Sequence, residues 1–194
     1  MKEGYVYETN VQYPTEKNRF EKYLWNIYIP QIVSIMLIFV SSPYSDLENY
    51  RRVVESSLRM SGYDFVGMEH FGAQNNPPLE VCLNAVKQSD VFVGIMGMRY
   101  GSSPPSRVLS YTEREYNLAY SLRLPIYMFL IDETRAKIRP ADFETNPEKV
   151  ERLRRFKEKV RRRHTITHFC SEDNLAWLIL ASLRIEENRI REAE

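Results

Sequence analysis

Short, continuously apolar runs, each followed by a polar turn and then by helical periodicity, constrain this chain more than any other feature. Met36–Val40 is one such run, and Asp90–Met96 and Pro125–Ile131 are two more. A strand that is apolar at nearly every position has no face for water. It must lie in a sheet covered on both sides, the environment of parallel strands joined by helical crossovers. Tyr63–Met68 and Thr165–Phe169 read as two further, weaker strands. Between them, Ser45-Asp46-Leu47-Glu48 has the form of a capping box opening a helix with Leu47, Tyr50, Val54 and Leu58 on one face, closed near Gly62. Pro78 starts a helix with Leu79, Cys82, Leu83 and Val86 inward. Pro147–Arg163 predicts a charged amphipathic helix with Val150, Leu153 and Val160 inward. A closing helix runs from about Ser171, with Leu175, Leu178, Ile179 and Leu183 inward. The expected fold is α/β: a flavodoxin-like, doubly wound, parallel five-stranded sheet with helices on both faces and right-handed crossovers.

The 194 residues suit one domain with extensions, and a hydrophobic fraction of 43% is enough to bury a core. The domain is expected over 36–185, followed at 186–194 by a charged tail or helix end. Residues 1–35 do not share the strand–helix logic. They read either as an added N-terminal helix, from the spacing of Phe20, Tyr23, Leu24 and Ile27, or as sequence ahead of a true start at Met36. Cys82 and Cys170 lack a C-x-x-C or histidine partner, which argues against a metal site and for free thiols in a reducing cytoplasm. No secretory signal is visible, and the apolar stretch Ile27–Val40 is broken by Pro30, Gln31 and Ser34, so no membrane span is expected. The formal net charge of +1 argues against a nucleic-acid binder, and the basic residues of 149–163 read as a solvated helix face. No Walker-type or G-x-G-x-x-G loop is present, and His164 and His168 have no evident nucleophile beside them.

Function concentrates where a doubly wound sheet binds ligands, beyond the carboxyl ends of its strands. Ser41 and Ser42 follow the first strand and Asp46 the turn after it. Glu69, His70 and Gly72 follow the second; Gly97, Arg99, Tyr100 and Gly101 follow the third. Each has a plainer reading: loop hydroxyls, turn glycines, a surface ion pair, a loop staple. Their convergence on one edge is the stronger signal. Glu115 adds to it. At about 100° per residue it shares a helix face with Leu118, Ala119 and Leu122, whereas Glu113, Asn117 and Ser121 fall opposite. A carboxylate in an apolar stripe is costly unless compensated, and a helix N-terminus can compensate it. Ser110-x-x-Glu113 and Thr112-x-x-Glu115 are both capping boxes, and only one can be used. The first leaves Glu115 for chemistry; the second occupies it.

From Met36 to about Arg184 the chain resembles the family known as domain of unknown function 4062. The resemblance rests on Phe39-Val40-Ser41-Ser42 with Asp46-Leu47, on Val66–Ala73, Pro77–Leu83 and Ser89–Ile95, and on Gly97-Met98-Arg99-Tyr100-Gly101 and Ser110–Tyr116. That family is similar to the TIR-like and nucleoside deoxyribosyltransferase-like group of flavodoxin-type folds, whose members often form part of larger signalling or defence proteins. The deoxyribosyltransferases carry a catalytic glutamate in T-x-x-E-x-x-x-A. Here the pattern falls on Thr112, Glu115 and Ala119. Pro43 departs from the threonine common in the family and removes a hydroxyl from that loop. The resemblance implies a nucleotide- or NAD-binding module that cleaves an N-glycosidic bond, needing no resident cofactor or metal. The alternative is a non-catalytic domain for self-association or for docking a separately encoded effector. On the first reading Glu115 is catalytic, and Ser41, Ser42, Asp46, Glu69, Gly97, Arg99, Tyr100, Gly101 and Thr112 bind the ligand, with Arg99 on phosphate and Tyr100 stacked on the base.

Overall fold

The computed structural model describes residues 36–67, 78–104 and 107–193, and residues from Met36 onward form one compact unit. Its five strands are β1 (Leu37–Ser41), β2 (Asp64–Val66), β3 (Val91–Met96), β4 (Ile126–Ile131) and β5 (Ile166–Phe169). All pair in parallel, in the order β2-β1-β3-β4-β5. That is the flavodoxin-like order, and it places the switch point between β1 and β3. The helices are α1 (Glu48–Met60), α2 (Pro78–Gln88), α3 (Tyr111–Ser121), α4 (Pro147–Arg163) and α5 (Glu172–Ala193).

The period-2 alternation of each strand divides the core into two layers. Ile38 and Val40 of β1, Val91, Val93 and Ile95 of β3, and Phe129 and Ile131 of β4 pack under α1 and α5. Phe39, Phe92, Met96, Met128 and Leu130 face the other way, against Val86, Tyr116, Phe156 and Val160 of α2, α3 and α4. The strands are therefore buried on both faces, as their uninterrupted apolar sequence requires. Aromatic contacts fix the second layer: Tyr116 meets Phe92 and Phe156 edge-on, with ring centroids 6.4 and 5.3 Å apart.

Several local expectations are revised. The first helix opens at Glu48, not at a Ser45 cap: Leu47 stands at the N-cap and its side chain has no acceptor to offer, while the Asp46 carboxylate before it is engaged by Met98 and Arg99. On α4, Val150 is exposed, while Phe156 and Lys157 join Leu153 and Val160 inside. The segment after 185 is no detached tail. α5 continues through it, holding Glu186 buried against the Tyr127 hydroxyl at 2.7 Å and Arg189 at 2.6 Å. The basic residues of α4 are mostly committed to partners: Arg154 and Arg155 to Glu151, Lys157 to Glu133, and Lys159 to Glu113. Among the described residues, no helix is long and apolar enough to cross a membrane.

Candidate functional site

The chain leaves β1 at Ser41, and α3 enters beside it, so both deliver side chains to the switch point. Ser110 is the N-cap of α3: its hydroxyl accepts from the Glu113 N–H at 3.2 Å. This decides between the two cap registers. The cap is closed indirectly, because the Ser110 N–H donates to the Tyr100 hydroxyl at 3.2 Å, and that hydroxyl donates to Glu113 Oε2 at 2.6 Å. Tyr100 thus stands inside a capping box, between cap N–H and acid. Glu113 is buried and also accepts from Lys159, so it does not lie on a polar outer face as expected. The reason is that α4 covers that side of α3. Leu122, expected inward, is exposed instead.

With Ser110 as the cap, Glu115 falls in the second turn and takes no part in capping. It is 4% exposed, and the Ser41 hydroxyl donates to its Oε2 at 2.5 Å. Opposite, Arg51 of α1 is equally buried and donates to the Ser42 hydroxyl at 2.6 Å, with Glu55 4.0 Å away. Val40, Ser41, Ser42, Pro43, Tyr44, Arg51, Ser102, Tyr111, Thr112 and Glu115 line a cleft of about 330 Å³. One buried carboxylate and one buried guanidinium therefore face a single cavity. A group carrying both a developing positive charge and an anion is the chemistry such a cavity suits.

A second cleft, of about 270 Å³, adjoins the first and shares Tyr44 and Ser102 with it; Ser45, Arg99, Gly101, Glu144 and Lys149 complete its lining. Arg99 points here, its guanidinium donating to the Ala141 carbonyl at 2.6 Å, and Lys149 donates to the Gly101 carbonyl at 3.1 Å. Gly101 has φ +89°, a conformation that favours glycine.

The expected site residues thus divide. Ser41, Ser42, Thr112 and Glu115 meet in the first cleft, and Arg99 and Gly101 in the second. Asp46 and Gly97 are brought together for a different purpose. Asp46 Oδ2 accepts from the N–H groups of Met98 and Arg99 at 2.7 and 3.0 Å, pinning the loop after β3 to the turn before α1. Burial holds this carboxyl above its ordinary range, against those two N–H donors, which pull it down. A Cβ at Gly97 would lie 2.3 Å from the same oxygen, so the glycine is required by the pin. Tyr100 is 1% exposed, and its ring has no face open to a base. Burial, with the Glu113 carboxylate, pushes its hydroxyl up to about 12. Glu69 lies outside the described residues. Arg51 and Tyr44 were missed. Arg51 was detectable, since it sits four residues after Leu47 on the buried stripe of α1. Tyr44 carried no periodic signal. No group of residues suited to a metal ion occurs among the described residues.

Residues 37–184 match the family described as "Domain of unknown function (DUF4062)". Telomerase protein component 1 of Mus musculus is 34% identical over a segment covering 36% of this chain, and its Rattus norvegicus counterpart is 50% identical over the same share. The chain spans 3% of the length of each. Similar solved structures include a Clostridium botulinum CMP N-glycosidase (16% identity, TM-score 0.41, 74% of this chain and 98% of that one). A prokaryotic SEFIR domain (16% identity, TM-score 0.37, covering 64% and 90%) is another. At such scores the functional argument rests on this chain's own geometry.

Proposed function

The chain belongs to the DUF4062 family, and within it we propose a module that binds NAD or a nucleotide and cleaves its N-glycosidic bond. The observation that carries the proposal is Glu115, a carboxylate buried in the wall of a cleft and held there by the Ser41 hydroxyl. With the sugar seated against it, the carboxylate stabilises an oxocarbenium-like anomeric carbon or attacks it. The C–N bonding pair leaves with the base: nicotinamide departs from NAD⁺ as a neutral molecule, whereas a purine or pyrimidine takes up a proton. Water then adds to the anomeric carbon, displacing the carboxylate where it has attacked and giving up a proton, and leaves ADP-ribose from NAD⁺ or the ribose phosphate from a nucleotide. Arg51 and Ser42 in the first cleft, and Arg99 with Lys149 in the second, supply donors for phosphate. Thr112 borders the sugar position. The cleft volume lies in the range that encloses small ligands. The proposed setting is signalling or defence in a reducing cytoplasm, which suits Cys82 and Cys170 standing outside any disulfide.

Chromatographic analysis of NAD⁺ and a nucleotide panel incubated with concentrated protein tests this reading. Base release by the wild type, abolished in Glu115→Gln, is the expected result. No turnover from the wild type, with Glu115→Gln equally stable, would overturn it. A second reading, self-association or docking without catalysis, is favoured by Trp177 and Ile185, both about two-thirds exposed on α5. Under it, sedimentation would show concentration-dependent assembly that Trp177→Glu reduces, again without base release.

A further inference from the structure

We propose that α5 pairs with α5 of a second copy of this chain, antiparallel, about a two-fold axis at Ala181. The proposal takes up the exposed α5 face on which the self-association reading rests. It requires nothing of catalysis, since no residue lining either cleft lies on this helix. The inward stripe of α5 is Leu175, Ala176, Ile179, Leu183 and Glu186. At about 100° per residue, Ala181 falls opposite that stripe, with Trp177 and Ile185 about 40° to either side of it. Both are about two-thirds exposed, and the alanine between them is too small to hold a partner off. A tryptophan and an isoleucine flanking an alanine form a self-complementary surface, the kind that a two-fold axis presents on both partners.

Charge chooses the orientation. At about 1.5 Å per residue, Trp177 and Ile185 stand about 6 Å before and after Ala181. Antiparallel pairing therefore sets each Trp177 level with the partner's Ile185. Asp173 and Arg191 lie a whole number of turns apart, so they share one edge of the same face, about 12 Å before and about 15 Å after Ala181. Each exposed Asp173 then stands beside the partner's Arg191. Arg184, on the same edge and 69% exposed, supplies a second cation nearby. Parallel pairing would instead set each of these residues level with the same residue of the partner, acid against acid and cation against cation, with the helix dipoles aligned. The contact is one helix face per partner, so the dimer belongs to the weak, concentration-dependent class.

Sedimentation equilibrium of the full chain, carried up to about 1 mM, tests the proposal. The expected result is a mass rising from one chain toward two. Asp173→Lys should weaken the dimer roughly 2- to 30-fold, the range for loss of two exposed ion pairs, and adding Arg191→Glu should restore it. Melting temperatures confirm that the variants fold. Orientation is read by copper–phenanthroline oxidation in a Cys170→Ser background, Cys82 being buried. Helix axes about 8–10 Å apart bring the two Ala181 Cα atoms into disulfide range, whereas the two Asn188 Cα atoms stand about 20 Å apart. Ala181→Cys should therefore crosslink to a dimer, and Asn188→Cys should not. A single-chain mass at every concentration would overturn the pairing, and self-association with it, leaving the catalytic reading in place. A dimer that crosslinks through Asn188→Cys as fast as through Ala181→Cys would overturn this arrangement alone. So would a dimer that Asp173→Lys leaves as tight as wild type.

Discussion

Gly97→Ala is the most informative perturbation of the scaffold around the site. The added methyl would sit 2.3 Å from Asp46 Oδ2 and 3.2 Å from both Asp46 Cγ and Leu47 Cδ2. Contact distance between carbon and a non-bonded oxygen is above 3 Å, so the carboxylate must retreat by about 1 Å. Leu47 is fully buried and offers no room. The retreat breaks the bonds from Met98 and Arg99 N–H, now 2.7 and 3.0 Å. Hydrogen bonds to a charged group are worth about 1.5–3 kcal/mol each, and water at the opened loop recovers part of that. Alanine also stiffens the unfolded chain, which offsets about 0.4–1 kcal/mol. The net cost is about 2–4 kcal/mol, a fall in melting temperature of roughly 5–15 °C for a domain of this size. Urea unfolding followed by circular dichroism measures it. The mechanism demands more: in an Asp46→Ala background the clash is absent, so adding Gly97→Ala should cost under about 1 kcal/mol. A single variant within about 0.5 kcal/mol of wild type, or additive effects in the double variant, would refute the argument.

Two other perturbations test the packing behind Glu115. Lys159→Met removes the cation that Glu113 meets beneath α4 and leaves a buried carboxylate with only the Tyr100 hydroxyl and its own helix, so unfolding free energy should fall by about 2–4 kcal/mol. A denaturation midpoint equal to wild type would show that water satisfies Glu113 instead. The second concerns pH. Burial, and then the nearby Arg163, hold His164 below its ordinary value of 6.5 while it bonds the Tyr116 hydroxyl at 3.0 Å; Tyr120 is its other ring neighbour. With its folded value depressed, the unfolded state takes up the proton first. The stabilisation is present above pH 6.5 and is lost as pH falls through the folded value. The difference in melting temperature between wild type and His164→Gln should therefore shrink from pH 7.5 to 5, and a difference constant across that window would contradict the assignment.

The architecture was legible because both-face burial leaves a direct trace. Strands β1, β3 and β4 were marked by runs that admit no polar face, and the bounds of α4 by Pro147 at its start and the charge run at its end. What sequence could not reveal was which neighbour covers each helix. Glu113 reads as solvent-facing from periodicity alone, and only the packing of α4 over α3 explains its burial. Val150 errs in the opposite sense, lying on the apolar side of α4 yet beyond the reach of the sheet. At the site, Glu115 was recoverable because a carboxylate in an apolar stripe is conspicuous. Arg51 offered the same signal on α1. Tyr100 and Asp46 could not be sorted from ligand-binding residues, since a polar group that braces a loop and one that awaits a ligand look alike until their partners are known. Tyr44 is a loop residue without periodic signal, and only the structure shows that it lines both clefts.

The central claim is that Glu115 faces the anomeric carbon of a bound nucleotide. A crystal structure of Glu115→Gln, which preserves shape while suppressing turnover, with the tightest-binding nucleotide tests it most directly. The account predicts the sugar in the cleft between Ser41 and Thr112, its anomeric carbon about 3–3.5 Å from the residue 115 side chain. A nucleotide bound with its sugar away from that side chain, or seated outside both clefts, would contradict it.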